Sequence, residues 1–123
     1  MSLLGGSFRF DIDLSQVKCG CNVALTLVAA PGYDSNGEPW RNHLGTYYCD
    51  ANQIGGNFCQ EMDIMEANKN AWRMTAHKCD NPSNKHYWNC DKGGCGKDMW
   101  QSNPHSYGPG DQFTINTERQ FTA

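Results

Sequence analysis

No apolar run in this sequence approaches the ~20 residues that a membrane-spanning helix needs, and the mean hydropathy of -0.71 points the same way. A helical membrane protein is therefore excluded. Basic residues are also sparse: ten Lys and Arg stand against thirteen Asp and Glu, for a net charge of -3. They are scattered rather than clustered, so there is no electrostatic footprint for nucleic acid, and a neutral or polar partner is expected. The start of the chain lacks a basic segment followed by an apolar core and a small-residue cleavage site. Either a signal has been removed or the chain begins internally, and "MSLLGGSF" fits the second case. There is no Asn-x-Ser/Thr acceptor, because Asn81 precedes Pro82. Internal repeats, low-complexity tracts and sustained helical periodicity are missing too.

Cysteine, by contrast, is abundant: seven in 123 residues. In a chain long enough for one domain, that count implies an oxidising, extracellular compartment, and its being odd leaves at least one thiol without a partner in the chain. The pattern is that of strands. "FRFDIDL" (8–14) alternates, with Phe8, Phe10, Ile12 and Leu14 on one side. "NVALTLVAA" (22–30) is apolar enough for a strand buried on both faces, and "GTYYCD" (45–50) predicts a third. Gly55-Gly56 marks a turn before "EMDIMEA". "WRMTAHKC" (72–79) sets Trp72, Met74 and Ala76 against Arg73, Thr75 and His77. Residues 80–110, rich in proline and glycine, read as an ordered loop, and "DQFTINTERQF" (111–121) as a last strand. The expected class is all-β, in a single domain.

The stretch "CQEMDIMEAN" (59–68) inserts Glu61, Asp63 and Glu66 into an otherwise apolar strand. Strict alternation puts Glu61 and Asp63 on one face and Glu66 on the other. A single bulge between Asp63 and Glu66 would return all three to one face. The Glu61 and Glu66 Cα atoms would then lie roughly 13 Å apart at about 3.3 Å per residue. Side chains leaning together would bring the carboxyls close to the ~5 to 5.5 Å of retaining glycosidases. Asp63 between them would hold a proton or a hydrogen bond. A solvated strand face is the plain alternative, but Met62, Ile64 and Met65 argue for a central strand, which with such acids needs a wet cleft.

"EMDIMEAN" closely resembles the Glu-x-Asp-x-x-Glu-Ala-Asn signature of glycoside hydrolase family 7, a family of cellulases. "FRFDIDLSQVKCGCNVAL", "GTYYCD", "TAHKC" and "SYGPGDQFTINT" resemble further family segments, in the correct order and over nearly the whole chain. The resemblance implies an antiparallel β-sandwich of the concanavalin-like jelly-roll type, here partial and corresponding to the middle of a longer catalytic domain. Missing segments of that domain are then partners of this chain. It also implies retaining hydrolysis of β-1,4-glucosidic bonds in cellulose or related glucans, with no cofactor and no metal. By position, Glu61 resembles the nucleophile, Glu66 the acid/base, Asp63 the carboxyl supporting the nucleophile, and His77 the active-site histidine. Asn22, Tyr48 and Asp50 resemble cleft residues that meet substrate.

The same resemblance implies two disulfides, Cys49 with Cys59 and Cys90 with Cys95, leaving Cys19, Cys21 and Cys79 without partners here. Against the family pattern, the segment between Cys49 and Cys59 is cut to "DANQIGGNF", Thr26 replaces a tyrosine, and a loop before "SYGPG" is shortened. An open cleft follows, favouring internal cleavage and so an endoglucanase. Three alternatives remain: a carbohydrate-binding or cell-wall structural relative without turnover; a small zinc module using His77, Cys79, Cys90 and Cys95; and a calcium or magnesium site at the acidic strand, which would supply few of the oxygens needed.

Overall fold

The structure, a computed structural model, describes residues 5–123, so "MSLL" of the opening segment lies outside the described residues. Among the described residues, eight strands and one short helix follow in order: β1 (Asp11–Ile12), β2 (Val23–Val28), β3 (Glu61–Ala67), β4 (Trp72–His77), β5 (Cys95–Asp98), α1 (Met99–Ser102), β6 (Tyr107–Gly108), β7 (Ile115–Asn116) and β8 (Phe121–Thr122). The fold is all-β. No helix among the described residues is long and apolar enough to cross a membrane. The chain divides into two compact units. The first holds the chain up to Val23, Glu66–Trp72 and Asp98–Ala123; the second holds Ala24–Met65 and Arg73–Lys97.

In the first unit β1 pairs antiparallel with β8, Asp11 opposite Thr122, and β6 pairs parallel with β7, Tyr107 opposite Ile115. The rings of Phe10, Tyr107 and Phe121 surround the buried indole of Trp72 at centroid distances of 6.3, 5.8 and 6.1 Å. Such aromatic clusters concentrate apolar burial in few residues. The Tyr107 hydroxyl donates to the Asn68 carbonyl at 2.7 Å, and burial pushes its phenol well above the ordinary value. Only two residues of "FRFDIDL" pair as strand, and Phe8 is about half exposed. The stretch 111–121 is not one strand. Asn116 Oδ1 accepts the Gly110 and Glu118 amides at 3.0 Å each, turning the chain between β7 and β8.

The second unit carries most of the sheet β2-β3-β4-β5. β3 lies inside this order, as its apolar residues predict, with Asp63, Met65 and Ala67 buried. β2 is an edge strand, which is why none of its residues is buried, contrary to the expectation of burial on both faces. "GTYYCD" forms no strand beyond a bridge at Asp50. Asn42 Oδ1 accepts the Leu44 and Thr46 amides at 3.0 Å each and so takes backbone donors that a ladder would need. The stretch 80–110 is more than a loop, since it supplies β5, α1 and β6. Within β5, Gly96 leaves room that a Cβ would close, standing 2.5 Å from the Arg73 guanidinium.

Cys49 is bonded to Cys59. The second bridge differs from the expected one: Cys90 joins Cys79, and Cys95 is a free, exposed thiol like Cys19 and Cys21. Backbone pairing explains the choice. Cys79 and Cys90 face each other across an antiparallel bridge, flanked by Asp91 N–H to Lys78 O (2.7 Å) and Asp80 N–H to Asn89 O (3.0 Å). Ala51, Phe58, Cys79 and Cys90 pack together as a small core, with Tyr87 against it.

Candidate active site

Three of the singled-out residues meet in the second unit. Glu61 opens β3, Asp63 follows on the same face, and His77 closes the neighbouring β4. Glu61 is half-buried, and its Oε2 accepts the Ala51 amide at 2.9 Å. Ala51 is held in turn, because the Asp50 carbonyl takes the Cys59 amide at 3.1 Å beside the Cys49–Cys59 bridge. Burial raises the pKa of Glu61. The Ala51 amide opposes that shift, and the charges of Asp63 and Asp50 add to it.

Asp63 is buried with both carboxylate oxygens engaged: Oδ1 accepts from the Thr26 hydroxyl at 2.8 Å, and Oδ2 lies 3.1 Å from His77 Nε2. The other ring nitrogen of His77, Nδ1, lies 2.7 Å from the Asp91 carbonyl oxygen. A carbonyl can only accept, so Nδ1 carries a proton. A proton must then also lie between Nε2 and Oδ2, since two bare acceptors would repel. Burial works against a charged His77; the Asp91 carbonyl, the Asp63 hydrogen bond and the charges of Asp63 and Glu61 outweigh it and raise the pKa.

The Asp91 carbonyl is aimed by its own turn, in which Asp91 Oδ1 accepts the Gly93 and Gly94 amides at 3.1 Å each. Gly94 has φ +63°, and a Cβ there would stand 2.8 Å from the His77 ring and 2.5 Å from Thr75 Cγ2. Glycine is required on both counts.

Tyr48 is partly exposed, and its hydroxyl bonds to the carboxylate of the buried Asp50. Burial, that bond, and the charges of Asp50, Glu61 and Asp63 all push its phenol up. Asp50 Oδ1 also accepts the Ile54 amide at 2.8 Å. Glu66, half-buried, and Asn22, exposed just before β2, belong to the first unit. From sequence, Thr26 stands out only as a departure from the family pattern, and the Ala51 amide and the Asp91 carbonyl do not stand out at all. Two of the three act through backbone groups, which every residue has; only the Asp-x-Gly-Gly pattern at 91–94 hinted at a turn. The zinc reading falls, because Cys79 and Cys90 are joined to each other, and among the described residues no group of three His, Cys, Asp or Glu could hold a metal ion.

Paired carboxylates are the groups that glycoside hydrolysis uses, and β3 carries three acids. The Glycosyl hydrolase family 7 model matches residues 52–123. The chain belongs to glycosyl hydrolase family 7. It is 35% identical to Endoglucanase 1 of Humicola insolens over 99% of its own length and 36% of the relative's, and 34% identical to Endoglucanase EG-1 of Trichoderma longibrachiatum, of which it covers 28%. The native endocellulase EGI of Humicola insolens superposes with a TM-score of 0.70 at 32% identity, covering 94% of this chain and 35% of that one. A family 7 cellobiohydrolase from Daphnia pulex gives 0.68 at 27% identity, over 93% of this chain and 36% of its own. The chain thus spans about a third of the length of the relatives it matches. The match to the Humicola enzyme runs over 147 positions, more than the 123 residues present, so the relative carries stretches that this chain lacks within the matched region.

Proposed function

We propose that this chain contributes the catalytic strand of a retaining β-1,4-glucanase acting on cellulose or related glucans. Glu61 is the nucleophile, attacking the anomeric carbon to form a glycosyl-enzyme intermediate. Glu66 protonates the leaving oxygen and then activates the hydrolytic water. The observation that carries this reading is the holding of Glu61: the Ala51 amide fixes one carboxylate oxygen, while Asp63 is tied to Thr26 and His77 instead of competing for it. A nucleophile held by a backbone donor in a half-buried position is oriented before substrate arrives. Asp63 and His77 keep the charge beside Glu61 defined, and Asn22 and Tyr48 meet the sugar; Asp50, expected to do so as well, is buried and instead holds the Tyr48 hydroxyl. The endoglucanase names of the relatives, the structure of Endoglucanase I complexed with cellobiose, and the short Cys49–Cys59 loop favour internal cleavage of a cello-oligosaccharide or glucan. Two disulfides support secretion.

A binding relative without turnover is the second reading, favoured by the chain's spanning about a third of its relatives. Release of reducing ends from a soluble cello-oligosaccharide by this chain and by Glu61→Gln separates the two. Turnover abolished by the substitution supports the glucanase. Binding without turnover in both forms supports the relative and removes the first reading. Because burial raises the Glu61 pKa, the acid limb of the rate profile is expected above the ordinary carboxylate range.

A further inference from the structure

We infer that Thr26 is a positioning residue whose hydroxyl, by occupying Asp63 Oδ1, directs Asp63 Oδ2 to His77 and so fixes the aspartate and the imidazole beside Glu61. The geometry stands on three links, all in the second unit. Thr26 lies on β2, the edge strand beside β3, and its hydroxyl reaches across at 2.8 Å to a carboxylate 37 residues away in sequence. That contact and the 3.1 Å approach of Nε2 account for both Asp63 oxygens. The Asp91 carbonyl holds the far side of the ring, so the imidazole cannot turn to offer its other nitrogen without losing a 2.7 Å bond. The carboxylate therefore has one donor on each oxygen.

A carboxylate that accepts a bond on each oxygen is held in one rotation; removing the Thr26 donor frees Oδ1 and lets the group turn, so that Oδ2 is no longer held opposite Nε2. The His77 ring keeps its bond to the Asp91 carbonyl but loses a fixed partner on β3, and the charges beside Glu61 are no longer fixed in place. Threonine suits this post because its methyl fills part of the half-buried strand face while its hydroxyl donates. Valine keeps the shape and drops the donor; serine keeps the donor and drops the methyl.

The kinetic part of this inference rests on the proposed role of Glu61, and the spectroscopic part does not. The test compares the full chain with Thr26→Val, Thr26→Ala and Thr26→Ser, each verified as folded by its backbone amide spectrum. The first readout is the nitrogen chemical shift of the His77 side chain at pH 6. Val and Ala are expected to move the Nε2 shift away from its native value as the hydrogen bond to Asp63 loosens, and Ser to match the native chain. Ala and Ser differ by the hydroxyl alone, so the comparison survives if Val does not fold. The second readout is hydrolysis of the cello-oligosaccharide. Where the native chain turns over, Val and Ala are expected to lower kcat about tenfold with KM unchanged, and Ser to restore it. An Nε2 shift that is native in all variants, or that moves equally in Ala and Ser, overturns the inference. Absence of turnover in the native chain counts against the proposed function while the nitrogen shifts still decide the role of Thr26.

Discussion

Replacing Asp63 by asparagine tests the proton held between β3 and β4. In the native chain His77 Nδ1 donates to the Asp91 carbonyl, so Nε2 has to meet whatever stands at position 63. Asparagine can keep the Thr26 bond through its carbonyl oxygen and turn its amide group toward Nε2. Against a protonated imidazole this sets two donors face to face and leaves a buried cation without its counter-charge, costing about 3 kcal/mol. Against a neutral imidazole the amide donates to the bare Nε2, and the cost falls to about 1 kcal/mol. The folded-state pKa of His77 is raised above the ordinary 6.5. The pair's stabilisation is therefore fully present below that value and is lost as pH rises through the higher folded one. Asp63→Asn is accordingly expected to be most damaging near pH 5, with a penalty shrinking by about 2 kcal/mol toward pH 9, or ~30-fold in the ratio of folding constants. Urea unfolding of both forms at the two pH values measures this. An equal penalty at pH 5 and pH 9 would refute the shared proton.

Under non-reducing native conditions a thiol reagent should titrate three cysteines, Cys19, Cys21 and Cys95; labelling of Cys79 or Cys90 would contradict the bridge. Cys90→Ser is expected to cost about 3 kcal/mol by the loop-entropy estimate, read as a lower urea midpoint, whereas Cys95→Ser should leave it unchanged. Gly94→Ala drives a methyl into His77 and Thr75 at a left-handed backbone position; a loss of about 2 to 4 kcal/mol is expected, with a displaced His77 ring signal. A neutral outcome would show that the Asp91 turn yields more than the packing indicates.

What could be read in advance divides along physical lines. β3 and β4 were legible because their side chains alternate over seven and six residues and both faces are in use. The acids of β3 stood out because they interrupt an apolar strand. "GTYYCD" was misread because its strand propensity is overridden by one side chain, Asn42, which captures the backbone donors of its own loop. The disulfide at Cys90 was misassigned because nearness in sequence is a poor guide to pairing: Cys95 lies on β5, while the Cys79 and Cys90 backbones lie side by side. At the site, Glu61, Asp63 and His77 stood out as residue types. Their supports did not, because Ala51 and Asp91 contribute main-chain atoms and Thr26 is 37 residues distant from the carboxylate it holds.

The Cys49–Cys59 loop separates two tasks that adjoin in sequence. Its ends are fixed, since Ala51 holds Glu61 and Cys59 leads into β3, while Gln53, Gly55 and Gly56 in its middle take positive φ at a turn. Loop-closure entropy grows so slowly that doubling the length costs only about 0.6 kcal/mol. Insertions at Gly55-Gly56 can therefore be exchanged like an attachment on a fixed mount. Grafted segments of different lengths at this one turn offer a way to vary what the molecule grips while the amide that aims Glu61 stays where it is.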